Sequence, residues 1–73
     1  MMKKAYIFLA TGYEEVEALT VVDLLRRGGV DCKIVSIMPE REVTSSHHVT
    51  ITADLLFDEQ NLDDADMLIT NDR

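Results

Sequence analysis

The residues of this 73-residue chain able to carry chemistry are three closely spaced glutamates, Glu14, Glu15 and Glu17, a single cysteine, Cys32, and the adjacent pair His47 and His48. A carboxyl group held partly out of water can donate or accept a proton near neutral pH. A thiol can serve as a nucleophile, and imidazoles as bases or metal ligands. Glu17 has the most unusual setting. On a helical wheel of about 100° per residue, Leu24, Glu17, Val21, Leu25, Ala18 and Val22 fall in one arc, the stripe expected to face a sheet. Glu14 lies at the edge of that arc. Glu15, Arg26, Asp23, Arg27 and Thr20 take the opposite arc, interrupted by Leu19 and Val16. Two readings of Glu17 stay open on periodicity. It either rises to the rim of the sheet and remains hydrated, or points into the crevice outside the carboxyl ends of the strands, where open α/β sheets bind ligands.

The other groups have plainer readings. Cys32 sits inside an apolar segment of strand length, where a cysteine behaves as a small buried hydrophobe. His47 and His48 are neighbours, so on a strand they point to opposite faces and do not chelate one metal together. Asp58, Glu59, Asp63, Asp64 and Asp66 form an acidic run of the kind that faces solvent, and the glycine and terminal glutamate of a calcium-binding loop are missing. Gly28 and Gly29 close a helix instead of opening one, so no phosphate loop or dinucleotide fingerprint is present. The residues imply no metal and no cofactor.

The elements that must position these groups follow from apolar patterning. Residues 4–10 are a near-continuous apolar run, as suits a strand covered on both faces in a parallel sheet. Thr11 and Glu14 have capping-box spacing, with Gly12 easing the turn. A helix is expected over residues 14–27, with acids in its first turn, Arg26 and Arg27 in its last, and Gly28-Gly29 as its stop. Residues 31–37 form a second strand and complete a right-handed βαβ unit. Pro39 breaks the pattern. Residues 42–45 and 49–52 alternate around Ser46-His47-His48 and read as a hairpin. Residues 55–62 hold a turn of helix, and residues 67–70 (MLIT) return to the parallel sheet. One helix cannot cover both faces of such a sheet, so either a partner completes the layer or the chain is a fragment. Val16 and Leu19, on the solvent arc, are either scattered exposed apolar residues or a contact between two subunits.

Composition limits the function classes. An apolar fraction of 47% is that of a globular protein. The net charge of −7 argues against nucleic acid as a partner, since phosphate binding needs clustered Lys and Arg. The basic residues Lys3 and Lys4 precede an apolar run too short to span a membrane or to form a cleavable leader. One cysteine allows no internal disulfide and fits a reducing compartment. The expectation is a soluble cytoplasmic protein that meets neither nucleic acid nor membrane.

The stretch AYIFLATGYEEVEALTVVDLLRRGGVDCKIVSI resembles the opening of ThiJ/PfpI proteins, in the superfamily of class I glutamine amidotransferase-like domains. A strand, a small turn, the pattern E-E-x-E, a helix ending near R-R-x-G and a second strand follow in the same order. SSHHVTITAD is similar to that family's hairpin region, where a glycine is common at the place of His48. The resemblance implies a partial flavodoxin-like (Rossmann-like) α/β fold: a parallel sheet with one long helix and an added β-hairpin, residues 1–73 being the N-terminal half of one domain. It implies that Glu17 corresponds to the family's active-site glutamate, protonated and hydrogen-bonded to a nucleophilic cysteine. Glu14 and Glu15 match the motif's other acids and read as first-turn charges favoured by the helix dipole. Cys32 is not the nucleophile, which the family carries at a strand-to-helix turn beyond the position of Arg73. After a strand like DMLIT the family continues with a Pro-Gly-Gly segment that helps form an oxyanion site, whereas this chain reads Asn71-Asp72-Arg73.

Three functions are therefore expected side by side. The first is a truncated ThiJ/PfpI-family protein, related to glyoxalase- or deglycase-like and protease- or amidase-like enzymes, to stress-related chaperones and to members labelled for thiazole monophosphate biosynthesis. Its intact relatives would act on a small carbonyl substrate, and the chain would be inactive alone for want of the nucleophile. The second is a non-catalytic module that self-associates as a homodimer. The third is a receiver-like signalling domain with Glu14 and Glu15 as the acidic pair and Asp72 as phosphoacceptor.

Overall fold

The sheet is built around its first strand. In the computed structural model, which describes residues 3–59 and 62–70, β1 (Lys4–Leu9) pairs in parallel with β2 (Asp31–Ser36) on one side and with β6 (Met67–Thr70) on the other. Beyond β2 lies β5 (Leu55–Leu56), also parallel, so the strand order is β5-β2-β1-β6. A separate antiparallel hairpin joins β3 (Glu42–Thr44) to β4 (Thr50–Thr52), with Val43 opposite Ile51. A short 3-10 turn spans Phe57–Glu59. The expected α/β architecture, a flavodoxin-like parallel sheet with one helix and an added hairpin, is the one observed. β5 was not foreseen: the segment read as a turn of helix opens with a strand and only then makes its 3-10 turn.

Helix α1 (Glu15–Arg27) crosses from β1 to β2 and covers one face of the sheet. Ala18 and Val22 face inward, with Leu19 and Leu25 packed beside them against Ala5, Ile7, Leu9, Cys32 and Ile34. Successive strand residues point to opposite faces, so Tyr6 and Phe8 lie on the other side of β1. There Phe8 meets Phe57 edge-on, with ring centroids 5.9 Å apart. That second face is more open, with Phe57 and Leu68 about half exposed. One helix covers one face, as the patterning implied.

The two ends of α1 differ from each other in how well sequence describes them. At the C-terminal end Gly29 adopts φ +88°, and the N–H groups of Gly29 and Val30 donate to the carbonyls of Arg26 and Leu25 at 3.1 and 2.9 Å. This is the glycine-terminated double bond expected where a helix stops. At the N-terminal end Thr11 is not the cap. Gly12 turns at φ +91°, Tyr13 bridges in parallel to Ser45 beside the hairpin, and the helix begins only after these residues. Glu14 caps it, with its own carboxylate accepting the N–H of Val16 at 3.2 Å. Pairing with the hairpin therefore displaced the capping box. Among the described residues, no helix is long and apolar enough to cross a membrane.

Candidate functional site

The helix N-terminus and the hairpin tip meet just past the C-terminal end of β1. The N–H of Gly12 donates to the carbonyl of Thr44 at 2.8 Å, and that of Ser46 to the carbonyl of Tyr13 at 2.9 Å. Ser45, almost wholly buried, is the hub of this junction. Its hydroxyl oxygen accepts the N–H groups of Val49 and His47 at 3.0 and 3.2 Å, while its O–H donates to Oε2 of Glu15 at 2.7 Å. A buried hydroxyl without such partners would be costly, so the network fixes both the tip and the glutamate.

Glu15 also meets His47. Its Oε1 lies 2.8 Å from Nδ1 of His47, and Oε2 of Glu14 lies 4.0 Å from the same nitrogen. The two carboxylates are largely sheltered and the imidazole projects into solvent. Hydrogen bonds from His47 and Ser45 hold the Glu15 carboxyl down at about 2, well below the ordinary value of 4.5. Reciprocally, the bond to Glu15, aided by the charges of Glu15 and Glu14, raises the imidazole above its usual 6.5. The pair is thus a charge-assisted bridge in weakly acidic solution. One donor atom from each of Glu14, Glu15 and His47 falls within 4.8 Å of the other two, a spacing compatible with a metal ion.

Glu17 stands elsewhere. Expected within the stripe that faces the sheet, it is exposed, because the buried face of α1 centres on Ala18 and Val22 and leaves Glu17 at its margin. The same open side carries Val16 and Leu24, exposed by 68% and 61%. Leu19, expected among exposed residues with Val16, instead packs against the core. Glu15, assigned by the wheel to the solvent arc, is the helix residue most engaged with the hairpin. Its signal is a tertiary one: Ser45 and His47 arrive from 30 and 32 positions away.

Cys32 is buried within β2, and burial raises its thiol above the ordinary value. It is therefore a poor nucleophile where it stands, as read from its strand setting. His48 does not lie on a strand. It occupies the turn with φ +67°, the left-handed region that favours glycine. Within the acidic run, Asp64 is tied to Lys4 and to the Tyr6 hydroxyl, both at 2.8 Å, and Asp66 accepts the N–H of Lys4 at 2.7 Å. These acids pin the loop before β6 to β1. Asp72, the phosphoacceptor of the receiver-like reading, lies outside the described residues.

Comparison with known proteins converges on one group. The model of the DJ-1/PfpI family matches residues 3–70. Protein DJ-1 homolog B of Arabidopsis thaliana is 39% identical over 54 residues, which make up 74% of this chain and 12% of the plant protein. DJ-1beta of Drosophila melanogaster superposes with a TM-score of 0.90 at 29% identity, over 99% of this chain and 39% of that one. Oxidized DJ-1 of Toxoplasma gondii gives a TM-score of 0.90 at 27% identity, over 96% of this chain and 38% of its own. The 73 residues thus span well under half the length of the relatives they match.

Proposed function

Because the chain belongs to the DJ-1/PfpI family, we propose that it is the N-terminal, glutamate-bearing part of a thiol-dependent α/β domain, with Glu17 as the acid partner of a cysteine supplied from outside these 73 residues. The observation that carries this reading is the setting of Glu17. It lies in the first turn of α1, the helix that follows the C-terminal end of β1, and its side chain is exposed and accessible to a group brought in by further chain. Ligands of open α/β sheets bind at that end of the strands. A carboxyl group covered there would lose water, favour its protonated form and donate a hydrogen bond to a thiolate. The substrate on this reading is a small carbonyl compound, the chemistry glyoxalase- or deglycase-like, and the setting a reducing cytoplasm. Cys32, inside β2, takes no part in it.

The decisive test is the nucleotide sequence downstream of codon 73. A frame continuing into a glycine-flanked cysteine at a strand-to-helix turn is the expected result, and an unrelated continuation or a stop removes the reading. In the extended protein, Glu17→Gln should lower methylglyoxal turnover by about a hundredfold or more, the scale of a lost proton-transfer partner. The 73-residue chain alone should show no turnover.

A second reading rests on the exposed strip of Val16 and Leu24. Thr20 lies between them on the wheel and is likewise exposed, so the strip runs along α1 beside Glu17. A second copy of the chain packing there would cover apolar surface now left to water. Sedimentation should then give a dimer that Val16→Glu dissociates. A folded monomer at micromolar concentration would exclude it.

A further inference from the structure

We propose that Glu14, Glu15 and His47 form a binding site for one first-row divalent cation of the zinc type. The three donors come from two separate elements, the start of α1 and the hairpin tip, and converge within 4.8 Å. Around a metal with bonds of about 2.0–2.2 Å, neighbouring ligand atoms lie roughly 3 Å apart. The 2.8 Å between Nδ1 of His47 and Oε1 of Glu15 is close to that bite. Oε2 of Glu14 lies 4.0 Å from the same nitrogen, about 1 Å beyond that bite. The other oxygen of Glu14 meanwhile retains the N–H of Val16 as helix cap.

The supporting groups are already arranged as metal sites require. Ligating carboxylates are held by second hydrogen bonds, and here the hydroxyl of Ser45 holds Oε2 of Glu15 at 2.7 Å. The same hydroxyl receives the N–H groups of His47 and Val49, so the tip carrying the imidazole is fixed by the hub that fixes the carboxylate. Two carboxylates and a neutral imidazole balance a doubly charged ion. The imidazole nitrogen selects for zinc-like metals over calcium and magnesium, which prefer oxygen alone. Three protein ligands leave a fourth position for water, and the exposed imidazole edge gives the ion a way in. The helix N-terminus, carrying partial positive charge, weakens affinity by about two- to fivefold. Glu15 and Glu17 are about 160° apart around α1, so this site is distinct from the proposed acid–thiol partner and stands or falls separately.

The reaction balances as an exchange. The proton on Nδ1 of His47, now shared with Glu15, is released to solvent as the nitrogen and the two carboxylate oxygens displace waters from the hydrated ion, one water remaining in the fourth position. Calorimetric titration of the chain with zinc chloride at pH 6 should give one ion per chain. The heat should vary with the ionisation enthalpy of the buffer as one released proton requires. His47→Gln and Glu15→Gln should each weaken binding by about tenfold or more. His48→Gly should leave it unchanged. As a readout without substitution, imidazole signals of His47, and not of His48, should shift on adding zinc. Binding weaker than about 1 mM overturns the proposal. So does binding that survives His47→Gln, or a zinc-dependent shift of His48 alone.

Discussion

Nδ1 of His47 and Oε1 of Glu15, 32 positions apart in sequence, stand 2.8 Å from each other and lock the hairpin tip to the start of α1. The contact is a charged hydrogen bond only while the carboxyl is ionised and the imidazole protonated. It therefore has a bounded pH range.

The carboxyl of Glu15 is depressed from 4.5 to about 2, so its contribution is present above 4.5 and is lost as pH falls towards 2. The imidazole of His47 is raised above 6.5, so its contribution is full below 6.5 and is lost as pH rises through the elevated value. Urea denaturation across pH should show the wild type exceeding His47→Gln by most between pH 4.5 and 6.5, with the gap shrinking on both sides. A gap independent of pH would mean that the two groups are not coupled.

His48 holds φ +67° at the turn, and its N–H donates to the carbonyl of Ser45 at 3.1 Å. Glycine keeps that donor and removes the left-handed penalty of roughly 1–2 kcal/mol, at an entropic cost of about 0.5–1 kcal/mol. His48→Gly should stabilise the chain by up to about 1 kcal/mol, read as a raised denaturation midpoint with an unchanged slope.

Asp54 joins three elements. Its Oδ2 accepts the N–H of Ile34 in β2 at 2.8 Å and a guanidinium N–H of Arg26 at 3.1 Å. Arg26 in turn donates to the carbonyl of Cys32 at 3.0 Å. Asp54→Ala strands a strand N–H and a helix-end arginine, and should destabilise by about 1–3 kcal/mol. Asp54→Asn retains an acceptor oxygen and should cost less. Equal losses in the two variants would point away from the hydrogen bond to Ile34.

Cys32 is 1% exposed and its thiol is shifted upward by burial. Iodoacetamide at neutral pH should leave the folded chain unmodified and alkylate it fully in denaturant, as followed by mass spectrometry. Rapid alkylation of folded protein would show that β2 opens readily.

The sequence made the parallel sheet legible because β1 and β6 are largely apolar segments of strand length, β2 carries Cys32, Ile34 and Val35, and α1 ends at two glycines. What it did not reveal was set by contacts across the chain. Thr11 has the right spacing for a cap, but the turn at Gly12 and the bridge from Tyr13 to Ser45 move the helix start to Glu15. β5 is two residues long, too short for any period to announce. The wheel placed Glu17 in the apolar arc and Glu15 in the polar one. It carries no information about the hairpin that covers Glu15, nor about how far the sheet extends beside Glu17.

The order β5-β2-β1-β6 has a consequence for synthesis. β1 can pair with β2 as soon as Ser36 has left the ribosome, but its other edge waits for β6, which ends at Thr70. At roughly 5–20 residues per second that edge is uncovered for about 2–7 seconds. Its backbone donors and acceptors, flanked by Ala5, Ile7 and Leu9, are in that interval open to pairing with another nascent chain. Lys4, bonded to Asp64 and Asp66 once β6 arrives, supplies the charge that guards the end of the strand until then.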